Sequence, residues 1–111
     1  MLKEMIPEII FKLENQKFLE AFVNLEGLIF FMHENLGEFT SDEIFCVVLA
    51  HDAISELLNE LNTVKTSNGF NGKIEFCAHL AALRLKEALG DNVSGRAAKA
   101  LSMLLEVIMN K

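Results

Sequence analysis

From Ser41 to Leu61 the chain reads SDEIFCVVLAHDAISELLNEL, and this stretch limits the available folds more than any other. Ile44 to Ala50 is apolar without interruption, which fits a buried strand as well as a helix. Ile54, Leu57, Leu58 and Leu61 then continue the run at helical spacing, and a strand has no use for that period. Ahead of the run, Thr40 and Glu43 stand three apart, as in a capping box. There the hydroxyl and the carboxylate each accept from a backbone N–H that the helix leaves unbonded. Asp42 and Glu43 also put negative charge at the positive end of the helix dipole. At about 100° per residue, Ile44, Val47, Ala50, Ile54, Leu57, Leu58 and Leu61 share one broad side. Phe45, Val48 and Leu49 fall on the other, with Asp52, Ser55, Glu56 and Asn59. A helix that is apolar all round is ordinarily a core helix, so its first half is expected to be covered on every side. In the other arrangement Phe45, Val48 and Leu49, beside Asp52 and Glu56, form a partner surface.

The remaining chain divides into four more helical segments. Met5 to Leu13 has Ile6, Ile9, Ile10 and Leu13 on one side and Pro7 in its first turn, where a missing N–H costs nothing. Asn15 is placed to cap the next helix, predicted over about 16–36, with Phe18, Ala21, Phe22, Leu25, Leu28, Ile29, Met32 and Leu36 as its core face and Gly37 as its stop. Leu19, Val23 and Phe30 make a second stripe flanked by Glu26 and Glu34, and Gly27 is expected under a closely packed neighbour. Thr63 to Gly72, reading TVKTSNGFNG, is rich in turn signals and is expected as the longest loop, with Phe70 tucked onto the core. The next helix spans Lys73 to Leu89. Its core side is Ile74, Cys77, Ala78, Ala81, Leu85, Ala88 and Leu89, its second stripe Phe76, Leu80 and Leu83. A last helix starts at Ser94 as N-cap, with Ala97, Ala100, Leu101, Leu104, Leu105 and Ile108 inward and Arg96, Lys99, Ser102, Glu106 and Asn110 outward. The expectation is an all-α, single-domain bundle of about five helices over residues 1–111, neighbours in sequence lying antiparallel.

Composition supports this. The 111 residues are 51% apolar, contain one proline and lack Trp and Tyr, which disfavours both disorder and a strand-rich fold. Lys3 is followed at once by Glu4, and Pro7 and Glu8 break the first apolar run, so no signal peptide is expected. No uncharged stretch reaches the length of a membrane span. These features predict a cytosolic chain in which Cys46 and Cys77 are buried free thiols.

The usual catalytic patterns do not assemble. Helix-borne di-iron sites use Glu-x-x-His, which sets both ligands on one face. Here Glu75 and His79 are four apart, His33 directly precedes Glu34, and His51 and Asp52 are adjacent, so no metal and no cofactor are expected. Ser67 to Lys73, SNGFNGK, lacks the first glycine, the Ser or Thr after Lys and the preceding strand of a phosphate loop. Anion binding at DNVSGR, residues 91–96, is unnecessary, since capping by Ser94 explains it. Each cysteine sits among apolar neighbours rather than beside a base. The expectation is therefore not an enzyme, and a pocketed ligand-binding or catalytic bundle ranks last.

Charge is distributed unevenly. Residues 1–60 hold twelve acids and three bases, −9; residues 61–111 hold four acids and seven bases, +3; the whole chain is −6. An acidic face disfavours nucleic acid as a direct partner and favours a basic protein. In its size, acidity and helical character the chain resembles the small bacterial immunity proteins that protect cells from nuclease toxins, including those of contact-dependent growth inhibition systems. The resemblance spans the chain and carries no motif. It implies stoichiometric neutralisation of a cationic nuclease toxin, with no membrane involvement and a chain that is monomeric, or weakly dimeric, when free. The candidate contact residues are Glu26, Glu34, Glu38, Asp42, Asp52 and Glu56, with Phe30, Phe45 and Val48 as apolar anchors. The alternative is an oligomeric adaptor or regulatory bundle whose spare stripes pair with copies of themselves.

Overall fold

The computed structural model describes residues 2–64 and 72–109. It is an all-α bundle of five helices: α1 (Leu2–Glu14), α2 (Phe18–Glu34), α3 (Ser41–Val64), α4 (Gly72–Ala88) and α5 (Asn92–Met109), with a 3-10 turn at Leu36–Glu38 between α2 and α3. The stretch 65–71, with Phe70, and the side chains of Ile108 and Asn110 lie outside the described residues.

Helices α1 to α4 close a ring, each packed on two others: α1 on α2 and α4, α3 on α2 and, most extensively, α4. Ile6, Ile9 and Leu13 of α1 meet Ala21, Leu25, Leu28 and Met32 of α2, Val47, Ala50 and Ile54 of α3, and Ala81 and Leu85 of α4 in one core. At about 1.5 Å per residue, the 24 residues of α3 run for about 36 Å, most of the molecule's 45 Å length. Helix α5 lies outside the ring and packs chiefly on α4. At buried Gly95 an added Cβ would come within 2.6 Å of the Glu87 carboxylate.

The helix ends follow local chemistry. The capping box is formed: the Thr40 N–H donates to Glu43 Oε1 at 2.8 Å, and the Glu43 N–H to Thr40 Oγ1 at 3.1 Å. Both α1 and α4 end in a pair of bonds that turns the chain through a left-handed residue. In α1 the Gln16 N–H donates to the Leu13 carbonyl and the Lys17 N–H to that of Lys12. In α4 the Gly90 N–H donates to the Glu87 carbonyl and the Asp91 N–H to that of Lys86. Gly90 (φ 99°) suits its place; Gln16 (φ 60°) carries a side chain there.

Several expectations are corrected. Pro7 lies inside α1 rather than in its first turn, because buried Leu2 and Ile6 prolong the apolar stripe past it. Asn15 does not cap α2; its side-chain amide donates back to the Phe11 carbonyl. Helix α2 stops at Glu34, where the Asn35 side chain bonds the Phe31 carbonyl, so Leu36 leaves the helical period and is exposed. Gly27 has nothing above it. Leu89, one residue past α4, is partly exposed. Asp91, not Ser94, caps α5: its Oδ1 accepts from the backbone N–H groups of Val93 and Ser94, and its Oδ2 from the Ser94 hydroxyl. Those bonds hold the Asp91 carboxyl below its ordinary range. Finally, Ala97, Ala100 and Leu104 face outward, while Ser94, Gly95, Ala98 and Leu105 are the buried side of α5.

Candidate protein-binding surface

Because α5 stands off the ring, a groove opens between α3 and α5 with α4 as its floor. Its first half is a recess of about 510 Å³ whose lining includes Asp42, Glu43 and Phe45 of α3, Glu87 of α4 and Asn92 of α5. Its second half, about 440 Å³, is lined by Leu49, Asp52 and Glu56 of α3, Leu80 of α4, and Ser102, Leu105 and Glu106 of α5. Arg84 lines both halves and is the one cation among the lining residues. Its guanidinium is already held, by Glu87 at 2.9 Å and the Ser102 hydroxyl at 3.5 Å. The groove is therefore acidic along α3, apolar along its floor, and its cation is turned inward.

The helical period brings Phe45, Val48, Asp52 and Glu56 onto one side of α3. Phe45 is 62% exposed and Val48 39%, so the apolar first half of α3 is not covered on every side. The side chains on the opposite face, Val47, Ala50 and Ile54, are fully buried. Asp42 and Asp52 are exposed, Leu49 half-buried. Among the described residues, neither Asp42 nor Asp52 has an ion-pair partner, and the same is true of exposed Glu38 in the 3-10 turn. Glu56 is different: Lys73 approaches it at 3.9 Å while bonding Glu60 at 3.0 Å. The Glu60 hydrogen bond raises the lysine pKa, and this one cation offsets one of the two carboxylate charges it bridges.

The α2 candidates form a second exposed strip. Phe30 and Glu34 share the outer face with Leu19 and Val23, and His33 lies 3.9 Å from Glu34. Glu26 joins this strip to α3, since its carboxylate meets His51 Nε2 at 3.4 Å. The His51 ring stacks on Phe22 with centroids 4.9 Å apart. All nine sequence-derived candidates thus lie at the surface, but on two faces: Asp42, Phe45, Asp52 and Glu56 in the groove, and Glu26, Phe30 and Glu34 beyond the α2–α3 seam. Val48 sits beside the groove rim, and Glu38 lies in the turn between the two helices.

The other wall of the groove was not legible. Glu87 and Glu106 belong to the half of the chain that is basic overall, and nothing in their spacing points them at α3. Three other bases of that half, among the described residues, sit elsewhere. Lys86 lies with His79 and Glu75 in a recess against α1, and Arg96 and Lys99 line one on the far side of Glu87.

Both cysteines are free and buried. Burial, reinforced by Glu87, pushes the Cys46 thiol up to about 11. Burial also raises Cys77. Neither is a thiolate near neutral pH. Among the described residues no cluster of three or more His, Cys, Asp or Glu side chains is disposed to hold a metal ion, and no helix is long and apolar enough to cross a membrane. No family model matches the chain, and no curated protein or solved structure is significantly similar to it.

Proposed function

We propose that this protein binds a cationic protein one-to-one in the α3–α5 groove, and that it acts as an immunity protein against a basic bacterial nuclease toxin in the cytosol. The observation that carries the reading is the setting of Phe45. A large aromatic stands exposed between the carboxylates of Asp42 and Asp52, neither of them ion-paired among the described residues, above a floor whose one cation is already bound to Glu87. An aromatic anchor ringed by charge is a frequent energetic centre of an interface. Free carboxylates beside it attract a basic surface and discriminate against acidic ones. Lysine or arginine side chains that a nuclease uses to hold phosphate find substitute oxygens here. Non-catalytic action is consistent with thiols held protonated by burial.

The test begins with the open reading frame next to this gene. A basic nuclease domain encoded there is expected to kill cells alone, to be tolerated on co-expression, and to form an equimolar complex whose association slows steeply with salt. Phe45→Ala is expected to weaken the complex by about 2 kcal/mol or more, and Asp52→Lys to weaken it and flatten its salt dependence. Absence of such a domain, or a complex indifferent to both substitutions, overturns the reading.

A further inference from the structure

We propose that the element entering the α3–α5 groove is a helix: a cationic amphipathic helix of the partner, about four turns long, with an apolar stripe on the groove floor and lysine or arginine along both flanks. This rests on the groove being the binding site and adds what kind of segment fills it.

The layout of the groove sets the length. Asp42 and Asn92 line its first half, Glu56 and Glu106 its second. Helices α3 and α5 therefore run in the same direction with their starts level. From Asp42 to Glu56, and from Asn92 to Glu106, each wall is about 21 Å of helix. Both walls rest on α4, so the trough between them is where a further helix of a bundle would lie.

Shape and charge select the occupant. Among the described residues every element is helical, so the groove offers no sheet edge to an added strand. Recognition is left to side chains. Phe45, Leu49 and Ala53 follow one another at four-residue spacing on α3, the kind of ridge that a neighbouring helix takes into its own groove. Leu80 of α4 and Leu105 of α5 continue this apolar strip across the floor. Carboxylates stand on both sides of it, Asp42 and Asp52 on α3 and Glu106 on α5, and none of the three is ion-paired among the described residues. A matching segment is apolar along one line and cationic on each side of that line. An extended chain shows alternate residues on a single face and cannot keep cations on both sides of an apolar row. A helix keeps that pattern over its whole length. Charge complementarity decides against an acidic or neutral helix, which would leave carboxylates on both walls unanswered.

The probe is a synthetic peptide of about 15 residues, which as a helix matches the length of the walls, with leucines four and three apart on one face and lysines on the two adjoining flanks. Titrated with the full chain from about 1 to 300 µM, it is expected to bind one-to-one and to gain helical circular dichroism in step with binding. A peptide of the same composition, reordered to break the helical period, should bind about tenfold more weakly or worse. Asp52→Lys and Glu106→Lys, exposed positions on opposite walls, should each weaken the first peptide by about threefold or more with the helical signal of the protein unchanged. Equal binding of the two peptides, or binding without a gain of helix, overturns the helical occupant. So does indifference to Glu106→Lys, which would set the occupant against α3 alone, and so does no binding of the first peptide at the top concentration. Self-association of the chain that the peptide displaces would give the groove to a second copy and overturns it too. The reading of a cationic partner falls separately, when the neighbouring nuclease ignores Phe45→Ala and Asp52→Lys.

Discussion

Helices α1 and α5 are amphipathic to a similar degree in sequence, yet the fold treats them differently. In α1 the apolar stripe of Leu2, Ile6, Ile9, Ile10 and Leu13 is buried entire. In α5 only Ala98 and Leu105 of its described apolar residues are buried, with Leu101 half-covered, while Val93, Ala97, Ala100, Met103, Leu104 and Val107 face outward. The difference is the number of neighbours. Helix α1 sits in the ring between α2 and α4, and two neighbours cover a wide arc. Helix α5 leans on α4, and one neighbour leaves most of its apolar residues uncovered. Amphipathicity says which side of a helix avoids water; the count of neighbours says how much of that side is hidden.

The sharpest way to break this contrast is to truncate one side chain in each region. Ile6→Ala in α1 removes a fully buried side chain and is expected to cost about 2–5 kcal/mol, the range for large-to-small changes in a closed core. Leu104→Ala in α5, measured by denaturant melts, should cost no more than about 0.5 kcal/mol, as at an ordinary surface position. Equal costs at the two sites would mean that α5 is held as firmly as the ring. Amide exchange gives an independent reading: α5 should open at lower free energy than α3.

How far the fold was legible follows from the same distinction. The capping box of Thr40 and Glu43, the core face of α1 and the number of helices depend on residues close in sequence, and they formed as expected. The outward turn of Ala97, Ala100 and Leu104 did not follow, because choosing between two apolar sides of α5 needs the position of α4. Leu36 was lost to the core by a boundary shift of two residues once Asn35 closed α2. The α3 wall of the candidate site was visible as charge and period, although its exposure was not. The α4 and α5 wall, with Arg84, Glu87 and Glu106, exists through tertiary packing alone.

Helix ends sharpen the contrast at smaller scale. Thr40→Ala removes one half of a formed capping box and is expected to lower stability by about 1 kcal/mol. The two left-handed termini then make a matched pair. Gly90→Gln forces a side chain into a conformation that costs about 1 kcal/mol for residues with a Cβ, and it does so where α4 hands over to α5. Gln16→Gly relieves the same strain at the end of α1 and should gain somewhat less than that, since added freedom in the unfolded chain offsets part of it. Chemical denaturation of both variants checks the pair; the same sign for both would show that backbone strain at these turns is not what differs.

The smallest effect is the most selective for α5. Hydrogen bonds from the backbone N–H of Ser94, then from its hydroxyl and from the Val93 N–H, lower the Asp91 pKa in the folded chain. A carboxyl whose folded pKa is depressed binds fewer protons when folded. Its stabilisation is complete above the unfolded value and is lost as pH falls through the folded one. Acidification should therefore release the start of α5 from its cap, in a window below the ordinary aspartate range, while the start of α3 keeps the Thr40 hydroxyl as an acceptor. Amide exchange or NMR at Val93 and Ser94 should show those two N–H groups losing protection across that window. Asp91→Asn retains an acceptor oxygen but cannot titrate, so it should flatten the dependence. A wild-type profile as flat as that of the variant would mean that the ionised state of Asp91 contributes nothing to holding α5 in place.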